Sequence, residues 1–186
     1  MLFRLFRRDP RADTISALYG AIVAQARNES FYRGFGVPDT VEGRFDMIVL
    51  HLALFCRRLA RESGPVHSLA QDVFDLFCRD MDHNLREMGV SDVGVPKRMR
   101  AFAEAFYGRV EAYDRAFAAA GDELAAALGR NVLGEAHPSA RARRLADYAR
   151  AAAQRLDSSD TAALGRGELV FPDPDTISAP AERPSR

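Results

Sequence analysis

The chain has 186 residues, of which 47% are hydrophobic and 28% are charged, and its 26 Lys and Arg residues are balanced by 26 Asp and Glu residues. This length suits one domain with a sizeable core, and the composition is ordinary for a globular protein. A formal net charge of zero argues against non-specific nucleic-acid binding, because such binding needs an excess of basic residues facing the phosphates.

The first segment, residues 1–12, alternates large apolar residues with arginines. It lacks the uninterrupted apolar stretch of a secretory signal peptide. Its apolar side chains could enter the boundary of an anionic membrane while its arginines meet lipid phosphates. An equally good alternative is that its phenylalanines lie on the folded domain. The residues assigned to the membrane contact are Leu2, Phe3, Arg4, Phe6, Arg7 and Arg8.

Apolar residues at helical spacing predict a helix over residues 14–27 and, after a short helical turn and loop, a long helix over residues 40–62. Thr40 is expected to cap the long helix. Because residues 45–56 are apolar on nearly all sides, this helix should lie at the centre of a bundle. That stretch is too short to span a bilayer, which takes about 20 residues.

The pair Gly64 and Pro65 predicts a break, and Gly89 is expected to form a left-handed cap at the end of the following helix. Pro96 suits the first turn of the next helix, which should end near Gly121. The helices predicted after residue 64 span 66–88, 96–121, 122–133 and 138–156, with a short turn at 161–164. A period of two, typical of a strand, is visible only at residues 168–171.

The predicted architecture is all-α: a single compact bundle of six or seven helices, about five of them substantial, over residues 13–170. The Pro-rich, polar residues 171–186 are predicted to form a disordered tail, because such a composition cannot bury enough apolar surface to fold.

Sequence patterns of catalysis are absent: the chain has no Gly-rich phosphate loop and no nucleophile elbow. Asp80 and His83 have the spacing of a di-iron bundle motif, but such a site needs a second motif and two further carboxylates. Cys56 and Cys78 form no CxxC pair and are expected to be buried, reduced thiols. We therefore assign no catalytic residue, no metal ligand and no cofactor, although a helical metal-dependent enzyme remains an alternative.

Two further binding roles compete with structural ones. His51, His83 and Met81 are conceivable axial ligands of haem, but a single His on a helix is more often structural or exposed. The arginines of the helix over residues 138–156 have no interleaved aromatic residues to stack on bases, so RNA binding is not expected.

Residues 77–100, FCRDMDHNLREMGVSDVGVPKRMR, predict a corner between an acidic helix and a basic helix. The basic residues Lys97, Arg98 and Arg100 are expected to pair across the corner with acidic residues of the first helix, namely Asp80, Asp82 or Glu87. The carboxylate of Asp92 is expected to accept backbone N–H groups or to cap the second helix.

This segment closely resembles the core motif of the ubiquinol–cytochrome c reductase assembly chaperone family, which includes mitochondrial cytochrome b chaperones and alphaproteobacterial relatives. A weaker likeness extends over residues 13–170. The residues that carry the motif are Asp80, Met81, Asp82, Leu85, Arg86, Glu87, Met88, Gly89, Val90, Asp92, Gly94, Val95, Pro96, Lys97 and Met99.

The resemblance implies an all-helical protein that is not an enzyme and that binds cytochrome b, or another early subunit of complex III, with a small co-chaperone as a further partner. The chain lacks the long N-terminal extension of the mitochondrial members. We therefore expect it in the bacterial cytoplasm, at the inner face of the cytoplasmic membrane. A membrane-peripheral adaptor without a cytochrome client is the second alternative.

The corner is our candidate for the partner-binding site, because methionine side chains provide adaptable apolar contacts. The alternative is that this motif only stabilises the fold. The residues predicted to bind the partner are Asp80, Met81, Arg86, Met88, Val90, Asp92, Val93, Val95, Lys97 and Met99.

Overall fold

The computed structural model describes residues 9–178, and within them it contains helices and no strand. In chain order the α-helices are α1 (Pro10–Ala26), α2 (Glu29–Gly34), α3 (Val41–Leu59), α4 (Gly64–His67), α5 (Leu69–Glu87), α6 (Gly94–Ala118), α7 (Glu123–Leu128), α8 (Ala140–Asp157) and α9 (Thr161–Gly165). A π-helical turn, Gly129–Leu133, follows α7, and a 3-10 turn, Pro174–Thr176, lies near the end. The all-α prediction is confirmed, and the five long helices are α1, α3, α5, α6 and α8.

The helices begin and end where the sequence supplies caps. The hydroxyl of Thr40 accepts the N–H of Gly43 at 3.1 Å and starts α3, as predicted. Ser139 accepts the N–H of Ala142 at 3.1 Å and starts α8 in the same way. Each of these bonds satisfies a donor that has no partner inside its helix.

The predicted helix over residues 66–88 is divided into α4 and α5 at Ser68. The Ser68 hydroxyl donates to the carbonyl of Pro65 at 2.9 Å and accepts a hydrogen bond from Arg11 of α1 at 2.7 Å. Arg11 also forms an ion pair with Asp72 in the first turn of α5. These contacts join the start of α1 to the start of α5.

Helix α3 lies at the centre of the bundle, in contact with α1, α5, α6 and α8. Every residue from Met47 to Phe55 is buried. Such a helix, apolar on all sides, is stable only when other helices surround it. The prediction of a central helix at this place is confirmed.

One polar side chain, His51, lies at the middle of α3 and is fully buried. Its Nδ1 is 2.7 Å from the carbonyl oxygen of Met47, which can only accept, so Nδ1 carries the hydrogen. Its Nε2 therefore accepts the hydroxyl hydrogen of Tyr148 in α8, at 2.7 Å. The Tyr148 hydroxyl in turn accepts from Gln25 in α1 at 3.0 Å, and Gln25 also donates to the carbonyl of Pro172 at 2.9 Å.

Residues 168–178 cross back over the bundle, and we call them the C-terminal strap. Phe171 and Pro174 are buried, and the Phe171 ring lies 5.0 Å from that of His51, edge to face. Arg144 donates to the carbonyl of Ile177 at 3.0 Å. Ordered packing therefore extends past residue 171, where the sequence predicts disorder, and residues 168–171 form no strand. Residues 179–186 lie outside the described range.

Acidification is expected to weaken the fold through His51. Burial lowers the pKa of His51 from 6.5 to about 4, so between these pH values the unfolded chain holds a proton that the folded chain does not. Stability is complete above pH 6.5 and decreases as the pH falls through this window. We expect a loss of about 2 kcal/mol between pH 7 and pH 5 from this residue. Urea unfolding at the two pH values measures it.

The matched control is His51→Gln, which keeps a polar side chain but cannot titrate. Asp46 works in the opposite direction, because burial raises its pKa to about 6 and the folded state then favours its protonated form. Asp46 is present in both proteins, so the difference between wild type and variant isolates His51. If that difference were the same at pH 7 and pH 5, the assignment would be wrong.

Candidate functional site

The candidate site is the α5–α6 corner, which we define as residues 80–100. Helix α5 ends in a Schellman motif: Gly89 N–H donates to the carbonyl of Arg86, and Val90 N–H donates to that of Leu85, each at 3.0 Å. Gly89 has φ of +81°, the left-handed conformation that the sequence predicts. The carbonyl of Ser91 then accepts the N–H groups of Gly94 and Val95 at 2.8 and 3.1 Å and starts α6.

Two acidic residues near the end of α5, Asp82 and Glu87, are paired with residues of the same helix. Arg86 bonds Asp82 at 2.7 Å and also forms an ion pair with Asp92 in the loop. His83 Nε2 lies 3.0 Å from a carboxylate oxygen of Glu87. The expectation that Asp92 caps α6 is wrong, because Arg86 takes its carboxylate. The residue before α6 is Val93, whose side chain makes no capping hydrogen bond.

Asp80 is held from outside the corner. The hydroxyl of Tyr19 in α1 donates to its Oδ2 at 2.7 Å. Burial, and then the hydrogen bond to Asp80, raise the pKa of Tyr19, so this hydroxyl stays protonated and keeps donating. This bond fixes the last turns of α5 against α1. Asp80 is therefore a positioning residue and not a free acid.

The basic residues in the first two turns of α6 have no counter-ion among the described residues. Lys97, Arg98 and Arg100 are exposed, and none forms an ion pair with another residue in the range 9–178. The prediction that these three residues pair with acidic residues of α5 is wrong. Asp82 is bonded by Arg86, Glu87 lies beside His83, and Asp80 accepts the hydroxyl of Tyr19. Cations near a helix N-terminus are also disfavoured by the helix dipole. The corner thus keeps a positive surface that is not neutralised locally.

The predicted partner-binding residues divide into exposed and buried groups. Val93 is 90% exposed and Met88 is 68% exposed, which is unusual for apolar side chains. Val95, in contrast, is fully buried. Met81 packs against the core, and Met81, Val90 and Met99 are half-buried. Only Met88 and Val93 among these apolar residues offer a large free surface.

Sequence reasoning missed Tyr107, which is 57% exposed on α6. Its ring lies 5.7 Å from that of Phe74 and 5.6 Å from that of Phe106. It follows Arg100 by seven residues and so lies on the same side of the helix, about two turns further along. Phe106 beside it is buried in the core, and helical spacing of apolar residues gives no signal for an exposed aromatic neighbour.

The other candidate ligands do not come together. His51 uses both ring nitrogens inside the core, whereas His83 is exposed beside Glu87. Among residues 9–178 no group of three or more His, Cys, Asp or Glu side chains is placed to hold a metal ion. Cys56 and Cys78 are free thiols, and burial raises the pKa of both, that of Cys56 to about 12.

The arginines of α8 are largely paired. Arg141 bonds Glu135 at 3.0 Å, Arg143 bonds Asp122 at 2.8 Å and Arg150 bonds Asp147 at 3.3 Å. Arg144 lies over the Phe35 ring and donates to two backbone carbonyls. This face of the bundle therefore carries little unbalanced positive charge.

Two expectations concern the membrane. Leu2, Phe3, Arg4, Phe6, Arg7 and Arg8, the residues assigned to a membrane contact, lie outside the described range. Within residues 9–178, no helix combines the length and the apolar character that crossing a bilayer requires.

A sequence model described as "Ubiquinol-cytochrome C chaperone" matches residues 33–171, about three quarters of the chain. The chain therefore belongs to the ubiquinol–cytochrome c chaperone family, which is a family of assembly factors and not of enzymes. The predicted family and the predicted lack of enzymatic activity are confirmed.

Individual relatives agree. The chain is 27% identical to the ubiquinol-cytochrome-c reductase complex assembly factor 1 of Xenopus laevis, over 83% of this chain and 78% of that protein. It is 25% identical to the factor of the same name from Homo sapiens, over 88% of this chain but only 57% of that protein. A crystal structure of the Cbp3 homolog from Brucella abortus superposes with a TM-score of 0.82 at 38% identity, covering 96% of this chain and all of that one.

The fold of the corner is expected to depend on Gly89. A methyl group at this position would meet no atom within 4 Å, so replacement by alanine costs only backbone strain at φ of +81°. We expect Gly89→Ala to lower the free energy of unfolding by about 1 kcal/mol. The control is Gly20→Ala in the exposed face of α1, which should raise it by about 0.5–1 kcal/mol. Urea unfolding that shows no difference between the two variants would contradict the role of Gly89.

Proposed function

We propose that this chain is an assembly chaperone of ubiquinol–cytochrome c reductase whose client is cytochrome b or another early subunit of that complex. The observation that carries the proposal is the family match over residues 33–171. The Xenopus and human relatives are named as assembly factors of that complex, which supports the same role. A small co-chaperone is a further partner of this proposal, and the inner face of the bacterial cytoplasmic membrane is its place of action.

We propose the α5–α6 corner as the surface that contacts the client. A chaperone of a membrane protein must shield apolar segments until they are assembled, and it needs exposed apolar side chains to do so. Met88 and Val93 supply such surface, and the flexible thioether of Met88 adapts to different contacts. Lys97, Arg98 and Arg100 are exposed in the first two turns of the helix that follows Val93, and their positive charge favours an acidic partner.

The remaining corner residues hold this surface in place. Arg86 connects Asp82 in α5 to Asp92 in the loop, and so fixes the loop that presents Val93. Val95 is buried and anchors the first turn of α6. Pre-organisation of this kind reduces the entropy that is lost on binding. The motif thus has both a structural part and a contact part, and the two can be separated by mutation.

The client is tested first in cells. A reduced-minus-oxidised difference spectrum of membranes from a strain lacking this gene should show decreased b-type and c-type signals of complex III, with other oxidases unaffected, and the gene should restore them. If complex III were untouched, the chain would act on another client, as a membrane-peripheral adaptor would.

The contact surface is tested with two valines in matched positions. Val93 precedes α6 and Val41 begins α3, and they are 90% and 70% exposed. An aspartate is favourable at either helix N-terminus, so neither variant should lose stability. We expect Val93→Asp to reduce restoration of complex III several-fold, whereas Val41→Asp restores it fully. Lys97→Glu should behave like Val93→Asp.

Equal restoration by Val93→Asp and Val41→Asp, at equal protein levels, would exclude the corner as the contact surface. A loss of helicity in Val93→Asp by circular dichroism would instead indicate that this loop serves the fold. The client experiment and the surface experiment therefore fail separately.

We also propose that residues 2–8 contribute a weak contact with anionic membranes, through alternating apolar and basic side chains. Deletion of these residues should lower co-sedimentation with vesicles containing phosphatidylglycerol. The effect should be smaller at high salt, because screening weakens the attraction between arginines and lipid phosphates. Unchanged co-sedimentation would remove the membrane contact from the proposal.

A further inference from the structure

Two exposed apolar side chains lie at the tip of the α5–α6 corner. Met88 ends α5 and is 68% exposed, and Val93 directly precedes α6 and is 90% exposed. The left-handed turn at Gly89 and the start of α6 at Gly94 place both in the short connection at the projecting end of the helix pair. Single side chains that project in this way fit a soft occupant that closes around them, as the boundary region of a lipid bilayer does.

Positive charge lies beside these side chains. Three exposed residues in the first two turns of α6 form no ion pair with another residue in the range 9–178, and we call Lys97, Arg98 and Arg100 the corner cations. Arg100, the most distant of them, lies about 9 Å from Gly94 along the helix axis, which is about one Debye length at physiological ionic strength. The corner cations are therefore close enough to act on an anionic surface that touches the tip.

The direction of the side chains separates the charges of the two helices. In an α-helix each Cα–Cβ bond is tilted toward the N-terminus. The corner cations at the start of α6 therefore lean toward the tip, whereas Asp82 and Glu87 at the end of α5 lean away from it. Asp92 in the loop is exposed, but it is paired with Arg86. The charge presented at the tip is thus positive, although acidic and basic residues are balanced over the whole chain.

Other exposed valines lack this setting. Val41 at the start of α3 and Val170 in the C-terminal strap are 70% and 55% exposed. The nearest arginines in sequence, Arg44 and Arg166, are each paired with an acidic residue. Exposed apolar surface and unpaired positive charge therefore coincide at the corner and not at these two valines.

We propose that the tip of the corner docks on an anionic lipid bilayer. Met88 and Val93 enter the boundary between headgroups and acyl chains, and the corner cations meet the lipid phosphates. Apolar groups of peripheral proteins lie about 5–10 Å deep in that boundary, which single side chains reach. Each basic residue close to such a surface strengthens binding about fivefold.

A bilayer fits these features better than a folded acidic protein does. A stable interface between folded proteins buries about 800 Å² on each partner, whereas the exposed apolar surface at the tip is confined to two side chains. The inference extends the proposed function, because it places the corner at the membrane of the proposed client. The lipid contact itself needs no client, and it is independent of the contact proposed for residues 2–8.

The chain contains no tryptophan, so Val93→Trp places a single indole at the tip of the full-length protein. With vesicles of phosphatidylglycerol brominated near the headgroup end of the acyl chains, we expect its emission to shift to shorter wavelength and to be quenched several-fold. Val41→Trp is the matched control, because it adds the same ring at another exposed helix start, and its emission should not change.

Three results would overturn the proposal. The first is an indole in Val93→Trp that stays unquenched at lipid concentrations at which the protein co-sediments, since residues 2–8 would then make the contact alone. The second is equal quenching in Val93→Trp and Val41→Trp, because the bilayer would then show no preference for the corner. The third is no co-sedimentation at all, which would remove the contact of residues 2–8 as well.

Charge is tested in the chain without tryptophan. Lys97→Glu should weaken partition onto phosphatidylglycerol vesicles at least about fivefold, and salt should weaken the partition of the unchanged protein. Arg155→Glu, in the last turn of α8, alters the net charge equally outside the corner and should change partition little. Circular dichroism checks that both variants are folded. Equal losses in the two variants would mean that net charge drives binding, and the corner would be excluded.

The lipid contact and the client contact fail separately. Quenching in Val93→Trp, together with full restoration of complex III by Val93→Asp, would support docking on lipid and remove the client contact. No quenching in Val93→Trp, together with lost restoration by Val93→Asp, would overturn docking on lipid and leave the client contact in place.

Discussion

The hydrogen bond from Tyr148 to His51 constrains the core more than any apolar contact does. Apolar side chains tolerate small shifts of one helix along another, but a buried polar group left without a partner costs roughly 1–3 kcal/mol. His51 is fully buried and uses both nitrogens, so α3 and α8 fit together in one register only. Through Gln25 the same network reaches α1 and the C-terminal strap. A buried polar network in which every member is satisfied gives a core a unique arrangement.

That fixed core determines what the corner can do. Helices α5 and α6 reach α3 through aromatic rings packed edge to face, with the centroids of Phe77 and Phe102 5.1 Å apart and those of Phe45 and Phe102 5.3 Å apart. Past this cluster the two helices project, and their ends are held by Tyr19 on Asp80 and by Arg86 across the loop. The corner is therefore rigid without being buried. Apolar residues at its tip stay exposed because the core below them is already complete.

The sequence predicts the five long helices, the caps at Thr40 and Gly89 and the central place of α3, because helical spacing and capping are local properties. It does not predict the C-terminal strap, since prolines and polar residues there indicate disorder. The strap is held largely through its backbone, because Gln25 and Arg144 donate hydrogen bonds to the carbonyl oxygens of Pro172 and Ile177. Every residue has such a carbonyl, so the side-chain pattern does not reveal these contacts. The sequence also predicts the wrong ion pairs at the corner, because it does not show which of several nearby charged residues each acid will contact. Arg86 is one helical turn from Asp82, and side chains at this spacing are neighbours on a helix, so the local pair needs no contact with α6.

This competition explains how a chain with no net charge acquires a charged surface. Near the end of α5, Asp82 and Glu87 are paired with Arg86 and His83, and Asp80 accepts the hydroxyl of Tyr19. Three arginines of α8 are paired with Glu135, Asp122 and Asp147. In the part of the chain that the structure describes, Arg109 and Arg115 further along α6 are paired with Asp46 and Glu111, whereas Lys97, Arg98 and Arg100 of the same helix remain without such partners. Their positions in the first turns of the helix oppose its dipole, so they lower the stability of α6 slightly. Lys97 and its neighbours are thus unfavourable for the isolated fold, and a partner that brings negative charge to Met88 and Val93 would remove that penalty.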